Sequence, residues 1–213
     1  RLSINTLFWT SQSCSGNKRL KLITGEKATL KDFDVTIKLR VPKTASLEID
    51  CRYADIRMET IAGQAEVKLY NGKLYGESFG QALKLDLRYA KAFLSDAPEA
   101  EMDLYDSDID MASCGSLELK SKYGKIEIER TGNFHFDSYD DNITIGKLAA
   151  VDGSAKYSDF DFGSSQSIRF DFYDSNLHGG TTGSVKGNCK YSEIELQEAA
   201  DIMLSSSYDD SFV

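Results

Sequence analysis

The stretch Leu117-Glu118-Leu119-Lys120-Ser121-Lys122-Tyr123-Gly124-Lys125-Ile126-Glu127-Ile128 decides how this chain folds. Up to the tyrosine, apolar or small residues hold every second position, as Leu117, Leu119, Ser121 and Tyr123, with charged residues between them. Alternation with period two is the signature of a half-buried strand. After the tyrosine the apolar positions fall at plus three and plus five, Ile126 and Ile128. An odd step reverses the parity, so the chain bends just after Tyr123, and Gly124 suits a tight corner.

Units of this kind recur as Arg52-Tyr53-Ala54, Arg88-Tyr89-Ala90, Lys156-Tyr157-Ser158 and Lys190-Tyr191-Ser192. Between them lies a second kind, in which the tyrosine follows a non-basic residue and precedes Asp or Asn. These are Tyr70-Asn71, Tyr105-Asp106, Tyr139-Asp140, Tyr173-Asp174 and Tyr208-Asp209. Their inward series, such as Phe134, Phe136 or Ile168, Phe170, Phe172, leaves the tyrosine one residue out of step. Apolar positions resume at plus four, at Leu74, Ile109, Ile143, Leu177 and Phe212. Here the bend takes in the tyrosine and the Asp or Asn, whose side chain bonds the backbone two residues on. Tyrosines of one kind return every 34 to 36 residues. Such self-similarity marks a solenoid, whose repeats bury their apolar faces by stacking on one another.

The pattern therefore predicts an all-β, parallel-stacked β-solenoid over residues 47–213, led in by residues 1–46 and forming one domain overall. Two corner types of different shape do not share one ladder well, so the expected coil has about 34 residues and carries one corner of each type; the alternative is a coil of about 17 residues, with the two types alternating up one stack. Five such coils give a core roughly 24 Å tall, right-handed as parallel crossovers favour. Basic-type tyrosines share the parity of the core and are expected against it as an internal ladder. Phe33, Val35, Ile37, Leu39 and Val41 form an alternating strand that ends at Pro42 and is expected to cover the first open edge.

Charge and motifs exclude several classes. Net charge is −9, split as +6 over residues 1–46 and −15 over the rest, and so acidic a surface repels phosphate backbones. Nucleic acid is thus not expected as a partner. No run reaches the length of a transmembrane segment. The four cysteines contain no CxxC pair. Cys51 and Cys189 read as small buried hydrophobes, while the sequence leaves open whether Cys14 and Cys114 pair. His135 points outward on a strand, and His178 precedes Gly179-Gly180 in a turn together with Gly183. Neither histidine has a nucleophile beside it in sequence, no GxSxG, HExxH, P-loop or GxGxxG occurs, and no catalytic residue is assigned.

Two constellations remain as candidate sites. Tyr70, Tyr105, Tyr139, Tyr173 and Tyr208 leave the inward register and are candidates for binding carbohydrate or a surface protein. Asp106, Asp140, Asp174 and Asp209, with Asn71, would stack as an acidic row in a 34-residue coil, a setting in which Ca²⁺ accepts oxygen ligands. Solvated turn aspartates are the alternative reading of that row. Arg52, Arg88, Lys122, Lys156 and Lys190 form a matching basic row.

The run from Val35 through Val41-Pro42 to Cys51-Arg52-Tyr53 resembles the strand, "VP", strand, "kYG" entry of a bacterial adhesin family of unknown function. The opening stretch 117–128 is close to that family's recurring unit, and the similarity covers about residues 33–213. It implies an extracytoplasmic β-solenoid in the periplasm, outer membrane or cell surface, often made with a leader peptide. The expected function is a non-enzymatic, adhesin-like scaffold or binding module. The rivals are a carbohydrate-active parallel β-helix lyase or hydrolase and a Ca²⁺-stabilised repeat array.

Overall fold

A computed structural model describes the backbone at residues 2–5, 18–21, 27–30, 38–207 and 210–212, and the side chains at 38–205. Its strands are β1 (Leu2–Asn5), β2 (Lys18–Lys21), β3 (Lys27–Leu30), β4 (Leu47–Arg52), β5 (Ile56–Met58), β6 (Ala65–Ser78) and β7 (Leu83–Tyr105). They continue as β8 (Asp108–Lys122), β9 (Lys125–Tyr139), β10 (Asn142–Lys156), β11 (Asp159–Tyr173), β12 (Asn176–Lys190), β13 (Glu193–Ser207) and β14 (Asp210–Phe212). From β4 onward every strand pairs in parallel with the next, in the order β4-β6-β7-β8-β9-β10-β11-β12-β13-β14. The molecule is a β-solenoid.

The register sets the coil at half the expected length. Ile126 pairs with Ile143, Ile143 with Phe160, Phe160 with Leu177 and Leu177 with Ile194, a step of 17 residues each time. Leu47, Ala65 and Leu83 step by 18. The two corner types therefore alternate up one stack, and each strand from β8 to β13 is nearly a whole rung, paired along most of its length and bent where the register skips a residue.

One backbone feature explains why both types fit. Each rung has a residue in the left-handed region at the corner: Tyr53, Asn71, Tyr89, Asp106, Tyr123, Asp140, Tyr157, Asp174 and Tyr191, with φ between 47° and 62°. The corner is the same in every rung; only the side chain in the left-handed slot changes. Tyrosine fills the slot in one kind of rung. In the other, Asn or Asp fills it and the tyrosine stands one residue earlier. Asn and Asp tolerate that conformation well, whereas a tyrosine there costs about 1–2 kcal/mol.

Because the slot reverses its side chain, the basic-type tyrosines do not face the core. Tyr53, Tyr89, Tyr123, Tyr157 and Tyr191 are 43–47% exposed. The residue after the slot turns inward instead: Ala54, Gly72, Ala90, Ser107, Gly124, Asp141, Ser158, Ser175 and Ser192.

The interior is one continuous apolar cluster from Leu47 to Leu196. Large and small residues alternate between rungs. Up one inward column run Leu119, Phe136, Gly153, Phe170 and Gly187. A Cβ on Gly153 would run into the Phe136 ring, and one on Gly187 into Phe170, so each ring lies over the bare backbone of its neighbour. Phe136 also packs on Phe134 at 5.1 Å and on Phe160 at 5.4 Å.

Beneath the corners the buried serines close the polar bookkeeping of the stack. The backbone N–H of Ala90 donates to Ser107 Oγ, that of Ser158 to Ser175 Oγ, and that of Ser175 to Ser192 Oγ. Each of those serines donates in turn to the carbonyl two residues earlier, at Tyr105, Tyr173 and Lys190.

At the N-terminal end the edge of β4 is paired by β1, with Leu2 opposite Leu47. The expected strand at 33–41 lies outside the described residues as far as Ile37. Beyond it, Leu39 is 56% exposed and in no strand, while Val41 packs against the core. β2 and β3 form a separate antiparallel pair. The glycines at 179, 180 and 183 lie within β12 rather than in a free turn, as does His178, whose Nδ1 is 3.2 Å from an Asp161 carboxylate oxygen.

Candidate functional site

The corner column brings the tyrosines of both kinds into one ladder. Ring centroids follow one another from Tyr53 through Tyr70, Tyr89, Tyr105, Tyr123, Tyr139, Tyr157 and Tyr173 to Tyr191 at 5.4–5.9 Å. Successive planes cross at 71–87°, so every contact is edge to face. Rungs alone would stack identical rings about 4.8 Å apart. The one-residue offset between the two kinds staggers them into the arrangement aromatic quadrupoles prefer, worth roughly 0.5–1.5 kcal/mol per pair beyond burial. That gain offsets the cost of a tyrosine in the left-handed slot.

The basic row interleaves with this ladder. Lys122 pairs in register with Tyr105 and Tyr139, and Lys156 with Tyr139 and Tyr173. Lys190 Nζ lies 5.0 Å from the Tyr191 ring centre and 5.8 Å from that of Tyr173. Partial burial within the ladder, and next the neighbouring phenols and an aspartate, raise the hydroxyls of Tyr89, Tyr123 and Tyr157 above the ordinary tyrosine value. They stay neutral hydrogen-bonding groups well past neutrality. The surface is a strip of amphipathic rings with phenol oxygens and ammonium groups along it.

Of the residues singled out from sequence, Tyr70, Tyr105, Tyr139 and Tyr173 all belong to this strip, while Tyr208 and Asp209 lie outside the described residues. Tyr53, Tyr89, Tyr123, Tyr157 and Tyr191 join them, having been expected inside. The signal that finds them is the small residue one past the slot, which returns every 17 or 18 residues whichever kind of corner precedes it, with Asp141 in its place in one rung. The acidic row does not form at close spacing. Asp106, Asp140 and Asp174 fall on alternate rungs, about 9.6 Å apart, with a tyrosine slot between each two. Among the described residues no group of three or more acidic, histidine or cysteine side chains gathers in a way that could hold a metal ion.

Asp141, next to the slot residue Asp140, is buried. It accepts from Ser138 Oγ at 2.7 Å, the Gly124 N–H at 2.7 Å, Ser121 Oγ at 2.9 Å and the Tyr139 N–H at 3.1 Å. Cys114 is buried, and its thiol donates to the Ser116 carbonyl. Burial pushes that thiol up to about 11. Cys14 lies outside the described residues.

Two surface features were not read from sequence. Arg57, Tyr75 and Phe93 stack outward on three rungs, the guanidinium 4.3 Å above the Tyr75 ring and that ring 5.3 Å from Phe93. A shallow valley of about 970 Å³ also runs up the strand face before the tyrosine corner, from Glu99 and Glu101 to Asp201 and Met203. No family model matches the chain, and neither a curated protein nor a solved structure does. Among the described residues no helix is long and apolar enough to cross a membrane.

Proposed function

We propose that this β-solenoid is a non-enzymatic, extracytoplasmic binding module of adhesin type, and that the tyrosine ladder is its contact surface. The observation that carries the reading is the continuity of nine rings in one strip, eight of them exposed and Tyr139 half-buried. From β4 onward the rungs keep to 17 or 18 residues, and this regularity supports the surface itself, rather than a loop-built cleft, as what the stack offers to a ligand. Rings in equivalent positions repeat every second rung, about 9.6 Å. That repeat suits an elongated ligand, and it is close to the length of the disaccharide unit of an extended β-1,4-linked glycan. Phenol and ammonium groups beside the rings supply donors for its hydroxyls.

The test is binding to arrays of glycans and matrix proteins, with calcium and with chelator, by wild type and by Tyr123→Asn/Tyr157→Asn. Asparagine keeps the left-handed slot content while removing the rings. Selective binding lost at least tenfold in the variant, with folding retained, is the expected result. Silence across the arrays in both buffers sinks the reading and favours a purely structural role.

A further inference from the structure

The valley is lined by the same three-residue stretch of each rung, Glu99–Glu101 and its register partners, and the strand face that carries it continues to the tyrosine corner at Tyr105. Inward and outward residues alternate there, so the outward ones form parallel columns. The middle column reads Glu101, Glu118, His135, Asp152, Arg169, Lys186. It is acidic at one end, basic at the other, and changes over at a histidine beside an aspartate. Such a column is complementary to itself read backwards.

We propose that this face pairs two copies of the chain, antiparallel along the stack, about a two-fold axis lying in the face. The axis runs parallel to the strands and passes between the His135 and Asp152 rungs. It sets Glu101 against Lys186, Glu118 against Arg169 and His135 against Asp152, each pair made twice as an isologous contact requires. The next outward column, Asp103, Lys120, Asp137, Ser154, Asp171 and Asn188, obeys the same operation: Lys120 meets Asp171, Asp103 meets Asn188, and Asp137 meets Ser154. The column on the other side begins with Glu99, which meets Ser184, and continues with Ser116, Asn133, Ala150 and Ser167, whose small side chains make room for the long ones of the facing copy.

No like charges oppose one another across these columns, and the placement of the axis is selective. With the axis on the His135 rung, Glu118 would face Asp152 and Lys84 would face Lys186. On the Asp152 rung, Asp137 would face Asp171. Six rungs by seven residues is roughly 29 Å by 23 Å, or about 660 Å² on each copy, towards the smaller end of standard specific interfaces. Complementary charge here sets register and partner choice more than raw affinity. In the single copy Glu101 is held by Lys84 Nζ at 2.8 Å, an exposed pair that the facing Lys186 can share at little cost. The pairing leaves the tyrosine strip at the margin of the interface, and it stands whether or not that strip binds a ligand.

Sedimentation of the full chain at low and high salt tests the proposal. Wild type is expected to dimerise at submillimolar concentration and to dissociate as salt rises. Arg169→Glu/Lys186→Glu is expected to be monomeric, and so is Glu101→Lys/Glu118→Lys, because each makes like charges meet. An equimolar mixture of the two variants restores every opposite pairing and should form a heterodimer. Should charge reversal impair folding, Arg169→Gln/Lys186→Gln is expected to raise the dimer dissociation constant about tenfold or more. A monomeric wild type overturns the proposal. So do reversed variants that dimerise like wild type, a mixture that stays monomeric, or a neutralised variant that pairs unchanged.

Discussion

Asp141 occupies the position where the later rungs carry Ser158, Ser175 and Ser192. Burial raises its carboxyl above the ordinary aspartate value, and bonds from Ser138, Gly124, Ser121 and Tyr139 pull the other way without cancelling that effect. The folded protein therefore binds its proton at higher pH than the unfolded chain does. Between the two values the native state holds more protons, so stability falls as pH rises through that window and the penalty is complete above it. Lowering pH from neutrality towards the usual carboxylate range should raise the urea midpoint of wild type relative to Asp141→Ser, whose hydroxyl continues the serine series. Parallel profiles for the two proteins across that window would exclude Asp141 as the source. Nothing in the sequence distinguishes this carboxylate from solvated Asp140 beside it. The difference arises because the left-handed residue at 140 turns the next side chain inward.

At the scale of the element, the inward columns work by alternating bulk. Gly153→Ala places a methyl group against the Phe136 ring and should cost about 1–3 kcal/mol, the usual range for overpacking. Phe136→Leu in the Gly153→Ala background should recover part of that loss, because the two sites share one volume and their effects do not add. Denaturant unfolding of the two single variants and the double one measures the coupling; simple additivity would mean that ring and methyl do not meet. Alternation along each strand was fully legible in the sequence, since Leu117, Leu119, Ile126 and Ile128 name the buried face by parity alone. Coil length was not. The one-residue offset between Tyr123 and Tyr139 looks like two corner shapes when each tyrosine is taken as the landmark. The structural landmark is the left-handed slot, and a propensity reading does not assign tyrosine to it.

Over the whole molecule the rung is the unit of pairing, while a pair of rungs is the unit of side-chain order. Removing residues 125–158 deletes 34 residues and joins Gly124 to Asp159 with both alternations intact. Removing 125–141 deletes 17, but it sets Tyr123 next to Tyr157 in the same slot and Lys122 next to Lys156. The longer deletion should unfold cooperatively, with a denaturant dependence reduced in proportion to the surface lost. The shorter should be the less stable of the two, although it keeps more of the chain. Equal or reversed midpoints would show that the ladder imposes no two-rung order. The same distinction separates what the sequence conveyed from what it did not. Repetition and parallel stacking follow from the recurrence itself, whereas the self-complementary charge column appears only once residues 17 apart are known to be neighbours.

The alternation of Lys-Tyr with Tyr-Asp corners also bears on how such a chain can lengthen over generations. A copying event that adds one rung puts two alike corners side by side and loses the staggered rings at the join. One that adds two rungs reproduces every contact. Descent should therefore proceed in double steps, leaving kin whose lengths differ by even numbers of rungs and whose odd-numbered outliers carry a repaired corner where the count went wrong.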